Sequence, residues 1–381
     1  MEVTSNHSQG GFIMLSNKNN KLVFNKLIAE IGCNFLNSVI NKYNGDYRTQ
    51  HFDSKSHLYS LLYFNIKGCK SLRELQTEVS SNKKLKQLIN VPSVSQFSRK
   101  NANRDCRIFE EIFYYLVNKT SKKFGAIKLL KGLPPLKIVD STVVQLAIKL
   151  APQLKIDSKR SGIKVNTVFN GEYPERVNIV KGNISDRRCN PNIFTERDCI
   201  YVFDRGYYDY RWYDSLTENK IKFVTRGIKN AIVMEDRIIN SEPEKDIYDT
   251  EIIIGSTPGG NLTFNKYREI QTFDENGEPI TFITNIFDLD THDIISIYKK
   301  RWEIEIFFKW IKQNLRIKRF IGYNENAVKI QIYCALIAYL LIYISNKTIN
   351  FYQSMLTLTR IVRSNLLESY DEYIKEYFAP G

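Results

Sequence analysis

The sequence predicts an α/β protein: helices first, a strand-rich middle, then helices again. Three observations carry this. Up to about residue 128 the chain reads as helical, punctuated by helix-capping residues. After Gly132, Pro134 and Pro135 the texture changes to short apolar runs separated by turn residues. From Asp293 to the end the pattern is helical again.

The elements follow in order. Ser71-Leu-Arg-Glu74 is a capping box and opens a helix that runs toward Ser80. A basic stretch, 83–90, stops before Pro92. Ser93 is placed to cap a helix from Val94 onward. On that helix Gln96, Lys100, Asn103 and Arg107 are expected to line one face, with Phe97 and Ile108 pointing elsewhere. Amide and cationic side chains on one face suit DNA base edges and phosphates. A solvated polar face has the same composition, so both readings stand. Residues 119–131 are basic and read as a linker.

Strands are expected at 136–144, 163–170, 176–180, 198–203 and 221–225. A turn at Arg205-Gly206 and an aromatic helix from Tyr207 separate the last two. From about 228 to 288 the texture is β with turns. Its runs at 248–254, 261–273 and 279–287 are divided by Pro258-Gly-Gly260 and Asn276-Gly277, the latter a hairpin signal. These boundaries suggest a helical region at 1–128, an α/β region at 129–346 with a β-rich stretch at about 228–288, and a helical segment at 347–381.

The bulk numbers narrow the function. A chain of 381 residues is long enough for two or three domains. Lys+Arg 55 against Asp+Glu 41 gives a net charge of +14, which favours a polyanion: nucleic acid or an anionic membrane surface. Tyr 23 and Phe 22, with abundant Ile, Asn and Lys, suggest an A/T-rich coding sequence as much as a function. Cys33, Cys69, Cys106, Cys189, Cys199 and Cys334 are scattered without zinc spacing and read as reduced thiols of a cytosolic protein. The four histidines form no metal pattern. The first twenty residues are mostly polar, so no signal peptide is expected. The most apolar run, 330–344, falls short of the ~20 residues of a membrane span and is read as a buried core helix.

The chemistry concentrates in Tyr298 to Lys312, YKKRWEIEIFFKWIK. On a helix at about 100° per residue, Tyr298, Arg301, Glu305 and Lys312 fall within roughly 60° of one another. Ile297, Ile304, Phe308, Ile311 and Leu315 form the adjoining apolar stripe. One acid thus sits between two cations and a phenol beside a stripe that buries. Glu303 faces the other way. Two further acids end apolar strands: Asp140 after Leu136-Lys-Ile-Val139 and Asp204 after Ile200-Tyr-Val-Phe203. Each alone fits a sheet rim or a helix cap, because a buried carboxylate without a partner is costly. Together with Glu305 they supply three hard oxygen donors of the kind that hold Mg²⁺ or Mn²⁺ beside phosphate. Asp186, in Ile184-Ser-Asp-Arg-Arg188, competes as a third acid, but Arg187 and Arg188 suggest a paired surface carboxylate.

Tyr298-x2-Arg301-x3-Glu305-x6-Lys312 resembles the Tyr-Arg-Glu-Lys signature of bacterial insertion-sequence DDE transposases, in the family named after insertion sequence four. Asp140-Ser-Thr resembles that family's first-acid motif and Asp204-Arg-Gly-Tyr its second. Phe223-Val-Thr-Arg226 is similar to the strand after the second acid. Phe308-Lys-Trp-Ile-Lys-Gln313 and Asn326-Ala-Val-x2-Gln331 resemble the flanks of the glutamate helix. Ser71-Leu-Arg-Glu and Asn101-Ala-Asn-Arg104 resemble the N-terminal domain of one branch. The likeness covers about 50 to 345, and the spaced four-residue signature is its specific part.

The resemblance implies a ribonuclease-H-like catalytic core with a β-rich insertion, a helical DNA-binding domain before it and helices after it. It implies a DNA transposase in which Asp140, Asp204 and Glu305 ligate two Mg²⁺, with Mn²⁺ able to substitute. Such an enzyme cuts phosphodiesters at transposon ends and joins the freed 3′-hydroxyl to target DNA by cut-and-paste. Tyr298, Arg301 and Lys312 are then phosphate contacts. Trp302, at the border of their face, is open to packing or to stacking on an extruded base; Trp310 points away and reads as packing. The implied partners are the terminal inverted repeats, target DNA and a second copy of the chain, in the bacterial cytoplasm on the nucleoid. A nuclease or resolvase without strand transfer, and an inactive DNA-binding relative, are the alternatives.

Overall fold

The computed structural model describes residues 22–149, 151–186, 193–228, 231–255, 262–314, 320–350 and 354–378. Pro258-Gly-Gly260, Cys189 and Leu315 lie outside them.

Among the described residues seven helices come first: α1 (Val23–Ala29), α2 (Cys33–Lys42), α3 (Ser54–Lys67), α4 (Leu72–Ser81), α5 (Lys83–Lys86), α6 (Val94–Asn103) and α7 (Arg107–Phe124). Ser71 caps α4 as expected, its hydroxyl accepting from Glu74 N at 3.2 Å. Ser93 caps α6 through Gln96 N at 3.3 Å. The expected linker begins later than 119, because α7 continues to Phe124 and ends at Gly125, whose φ of 75° needs a glycine.

The polar face predicted for one long helix does not form. Asn103 is the last residue of α6, and Arg107 is the first of α7. The cause is Arg104, which leaves the helix with extended backbone and is 5% exposed. Its guanidinium donates to Phe52 O (2.8 Å) and Asp53 O (3.1 Å), so burying it with its donors satisfied ends the helix. Lys100 donates to Thr49 Oγ1 (2.9 Å). Arg107 pairs with Asp105 (2.6 Å) and stands over the Tyr43 ring. Asn103 is exposed and Gln96 half-buried.

Among the described residues nine strands form one mixed sheet in the order β3-β2-β1-β4-β5-β9-β8-β7-β6. They are β1 (Leu136–Leu146), β2 (Ser161–Phe169), β3 (Pro174–Lys181), β4 (Ile200–Phe203), β5 (Lys222–Arg226), β6 (Val233–Glu242), β7 (Ile247–Ile254), β8 (Tyr267–Phe273) and β9 (Pro279–Thr284). Strands β1, β4 and β5 run parallel; their other ladders are antiparallel. The β-rich stretch is therefore a continuation of the central sheet, joined where β9 pairs with β5. Asn276-Gly277 turns β8 into β9, with Gly277 at φ 76°.

Alternation of side chains gives the sheet two cores. Leu136, Ile138, Ile200 and Val202 face the larger one. Val139, Tyr201, Phe203 and Phe223 face a smaller, aromatic one, covered by α8 (Tyr210–Glu218). The larger core is built around α11 (Glu325–Ile349), against which α3, α6 and α7 pack. This is the one described helix long and apolar enough to cross a membrane, and 94% of its apolar window is buried inside the protein. The last helices, α12 (Met355–Asn365) and α13 (Tyr370–Phe378), add Leu358, Val362 and Tyr373 to the same core.

Two more helices follow the sheet: α9 (Thr291–Lys299), which packs on β5, and α10 (Trp302–Asn314), which touches both β1 and α11. The start of α9 is tied to the sheet by Arg268, 2% exposed. Arg268 pairs with buried Asp249 and donates to Ile286 O (2.9 Å) and Leu289 O (2.7 Å).

Candidate active site

The parallel register of β1 with β4 sets Val139 beside Phe203, so Asp140 and Asp204 emerge side by side where both strands end their ladder. By alternation both share the face of Ile138 and Val202, toward α10. Asp204 is fixed by its own turn, its Oδ1 accepting from Gly206 N at 2.9 Å. Asp140 Oδ1 accepts from Ser141 N at 2.6 Å.

The glutamate reaches this pair through a bend. A single helix was expected from Tyr298 to Lys312; the chain instead breaks between α9 and α10. Lys300 N, Arg301 N, Glu303 N and Ile304 N all donate three residues back, at 3.1, 2.9, 3.1 and 3.3 Å. That is a 3₁₀-type turn, which advances about 120° per residue instead of about 100°. The turn delivers Arg301 to the sheet. Its Nη1 lies 3.6 Å from Asp140 Oδ2, its Nη2 2.5 Å from Glu305 Oε1, and its guanidinium 5.9 Å from the Tyr298 ring centre. Tyr298, Arg301 and Glu305 are thus brought together, although no uninterrupted helix carries them. The apolar stripe is as expected: Ile297, Ile304, Phe308 and Ile311 are all buried.

The electrostatics follow from that packing. Burial pushes the Asp140 carboxyl up to about 7, and Asp204 and Glu305 push the same way, against the Ser141 N–H and Arg301. Arg301 stays charged: burial lowers its pKa, but Tyr298, Glu305 and Asp140 together carry it above its ordinary value.

The donor set is carboxylate oxygen, which suits Mg²⁺ or Mn²⁺. Among the described residues no three His, Cys, Asp or Glu side chains close a metal site by themselves. Arg301 contacts two of the three acids, Asp140 at 3.6 Å and Glu305 at 2.5 Å. Asp140, buried beside Asp204 and raised toward neutral pH, carries charge that a cation would relieve. The residues fit a divalent metal in chemistry, with Arg301 as the cation now in contact with two of them.

The other predicted residues are placed as follows. Lys312 is half-buried and lines a cleft with Asp140 and Glu305. Glu303 lines a different cleft with Glu172 and Trp310, so Glu305 is the acid that faces Asp140. Tyr298 is 8% exposed and packs on Phe282 (4.7 Å), so its ring backs Arg301 more than it faces solvent. Trp302 is 60% exposed, which removes the packing reading for it. Trp310 is buried edge-on against Tyr339. Gln96, Lys100 and Asn103 lie on α6, and Arg107 opens α7.

Asp186 is a paired carboxylate, partly exposed. Its described contacts are to Lys164 Nζ (3.0 Å) and Ser141 Oγ (2.5 Å). The arginines expected to pair with it, Arg187 and Arg188, lie outside the described residues; Lys164, its described charged partner, lies 22 residues upstream.

Comparison with known proteins gives the same direction. Residues 131–341 match the family model described as Transposase DDE domain, and residues 19–89 match a domain of unknown function. The chain is 30% identical over 277 residues to a putative transposase of Sinorhizobium fredii, covering 71% of this chain and 76% of that protein. It is 29% identical over 260 residues to the putative transposase for insertion sequence element IS4SA of Synechocystis, covering 65% and 70%. It is 26% identical over 251 residues to the probable transposase for insertion sequence element IS5377 of Geobacillus stearothermophilus, covering 65% and 66%. A cryo-EM structure of the piggyBac transposase synaptic complex with hairpin DNA shares the fold, at a TM-score of 0.50 and 9% identity over 94% of this chain and 82% of that one. A transposase domain model over more than half the chain, transposase relatives and the paired strand-end acids converge: the chain belongs to the insertion-sequence DDE transposases, in the family named after insertion sequence four, and is a DNA transposase acting on phosphodiester bonds.

Proposed function

We propose that this transposase works by cut-and-paste, cutting at the ends of its element and joining the 3′-hydroxyls to target DNA. Asp140, Asp204 and Glu305 are its metal-binding acids on a ribonuclease-H-like core. The observation that carries this is the adjacency of Asp140 and Asp204 on parallel strands, with Glu305 linked to Asp140 through Arg301. Two bound Mg²⁺ ions would supply activation of the attacking oxygen and stabilisation of the leaving one.

The chain's own side chains then position and neutralise. Arg301 turns its planar fork from the acids toward a phosphate, and Lys312 meets the same backbone as a point charge. Tyr298 buttresses Arg301. Trp302, exposed beside this face, stacks on a base drawn out of the duplex. Exposed Asn103 and Arg107 and half-buried Gln96 and Lys100 are the N-terminal positions proposed for DNA contact. Two ends must be held at once, so the working form is a homodimer on DNA, on the nucleoid in the cytoplasm.

The test is cleavage and strand transfer on duplexes carrying the element's terminal repeat, with Mg²⁺. Asp140→Ala, Asp204→Ala and Glu305→Ala should each abolish both steps while end binding persists. Cleavage surviving any one substitution removes that residue from the site, and cutting without joining replaces transposition with a nuclease activity.

A further inference from the structure

Asp140 and Ser141 are neighbours on β1 and so point to opposite faces of the sheet. Asp140 faces α10. On the opposite face, the Ser141 hydroxyl donates to Asp186 Oδ1 at 2.5 Å. Asp186 is held there by the ammonium of Lys164, 3.0 Å away and 11% exposed at its side chain. Lys164 pairs with Val143 in the ladder, which puts it on the Ser141 face. Asp186 also borders the second acid's turn: a Cβ built on Gly206 would lie 2.9 Å from Asp204 Oδ1 and 3.5 Å from Asp186 Oδ2. The Ser141 backbone N–H, in turn, is the hydrogen bond that holds Asp140 Oδ1 at 2.6 Å.

We propose that Asp186 is a positioning residue for the transposase reaction. It grips Ser141 from behind the sheet and so sets the direction in which Asp140 offers its carboxylate. The inference rests on reading Asp140 and Asp204 as metal ligands. A counterion role toward Lys164 alone accounts for one of the two contacts; it leaves the Ser141 bond, and the position beside Gly206, without a purpose. Partners that orient a metal-binding carboxylate typically change metal affinity or activity 10- to 100-fold when removed.

The experiment uses the full-length protein with a terminal-repeat duplex. Mn²⁺ affinity is measured by electron paramagnetic resonance of the free ion, beside cleavage rate and duplex Kd. Ser141→Ala removes the hydroxyl without disturbing a charge. The double variant Asp186→Ala with Lys164→Met removes the ion pair together, so that no ammonium is left buried alone. Each should weaken Mn²⁺ binding and cleavage about 10-fold with duplex Kd unchanged. Combining all three substitutions should add little more, since they break one chain of contacts. Wild-type Mn²⁺ affinity in Ser141→Ala, or a loss only in thermal midpoint, overturns the proposal. Asp140→Ala separates the two levels: Mn²⁺ binding intact there overturns the metal-ligand reading itself. If Asp140→Ala loses Mn²⁺ and Ser141→Ala does not, the positioning role alone is wrong.

Discussion

Replacing Asp140 by Asn should make the metal-free protein more stable, and increasingly so as the pH rises. Asp140 is 19% exposed at its side chain, and its carboxyl is pushed up to about 7 by burial and by Asp204. A carboxyl raised in the folded state is protonated there while the unfolded chain has already lost its proton. Below the unfolded value of 3.8 the group costs nothing; from there to about 7 each pH unit removes stability, and above about 7 the loss is complete. At about 1.36 kcal/mol per unit, the roughly three-unit shift amounts to about 4 kcal/mol. About 2.5 kcal/mol of it should appear between pH 5 and pH 8. Asparagine keeps an oxygen for the Ser141 N–H and carries no charge to bury. Urea unfolding of both proteins in EDTA at pH 5, 6, 7 and 8 gives the difference directly. The advantage of Asp140→Asn should grow with pH and level off above 7, and Mg²⁺ at pH 8 should shrink it by stabilising the wild type alone. An advantage flat across that range, or a variant less stable at pH 8, would refute the account of Asp140 as a buried, electrostatically crowded acid.

Arg301→Ala should weaken binding of the terminal-repeat duplex and lower the slope of log K against log salt by about one; an unchanged slope argues against phosphate contact. Arg268→Met strands buried Asp249 without its cation and should cost about 3–5 kcal/mol in urea unfolding, because the pair is fully enclosed. Asn326→Ala removes a side chain that donates to Arg104 O (2.7 Å) and Ala102 O (3.1 Å) and accepts from Cys106 N (3.2 Å). It should lower stability by about 1–3 kcal/mol, and a neutral result would mean that water replaces those bonds.

Much of the fold was legible because its signals are local. The Ser71 and Ser93 caps, the Asn276-Gly277 turn and the short strands up to Ile221 each depend on a few adjacent residues. The two strand-end acids were legible for the same reason. The polar face of α6 was misread because Arg104 leaves the helix to satisfy carbonyls near residue 52, a contact no periodicity encodes. The bend at Lys300–Arg301 has no proline or glycine to announce it; the guanidinium's two carboxylate partners lie on another strand and the next turn. The described partners of Asp186, Ser141 and Lys164, come from β1 and β2, which only strand pairing brings together, so no sequence neighbour announces them.

The register that sets Val139 beside Phe203 has a consequence for how this gene can vary. Strand side chains alternate faces, so losing or gaining one residue within 136–139 or 200–203 would swing the following acid to the aromatic side of the sheet. Substitutions among Leu136, Ile138, Ile200 and Val202 trade one apolar shape for another and leave the acids adjacent. Functional copies of the element should therefore differ freely in the identity of these residues but never in their number, while length changes collect in loops beyond the ladder. A transposition-competent copy with a single-codon insertion between Leu136 and Val139 would show that the spacing of the acids is set by something other than the ladder.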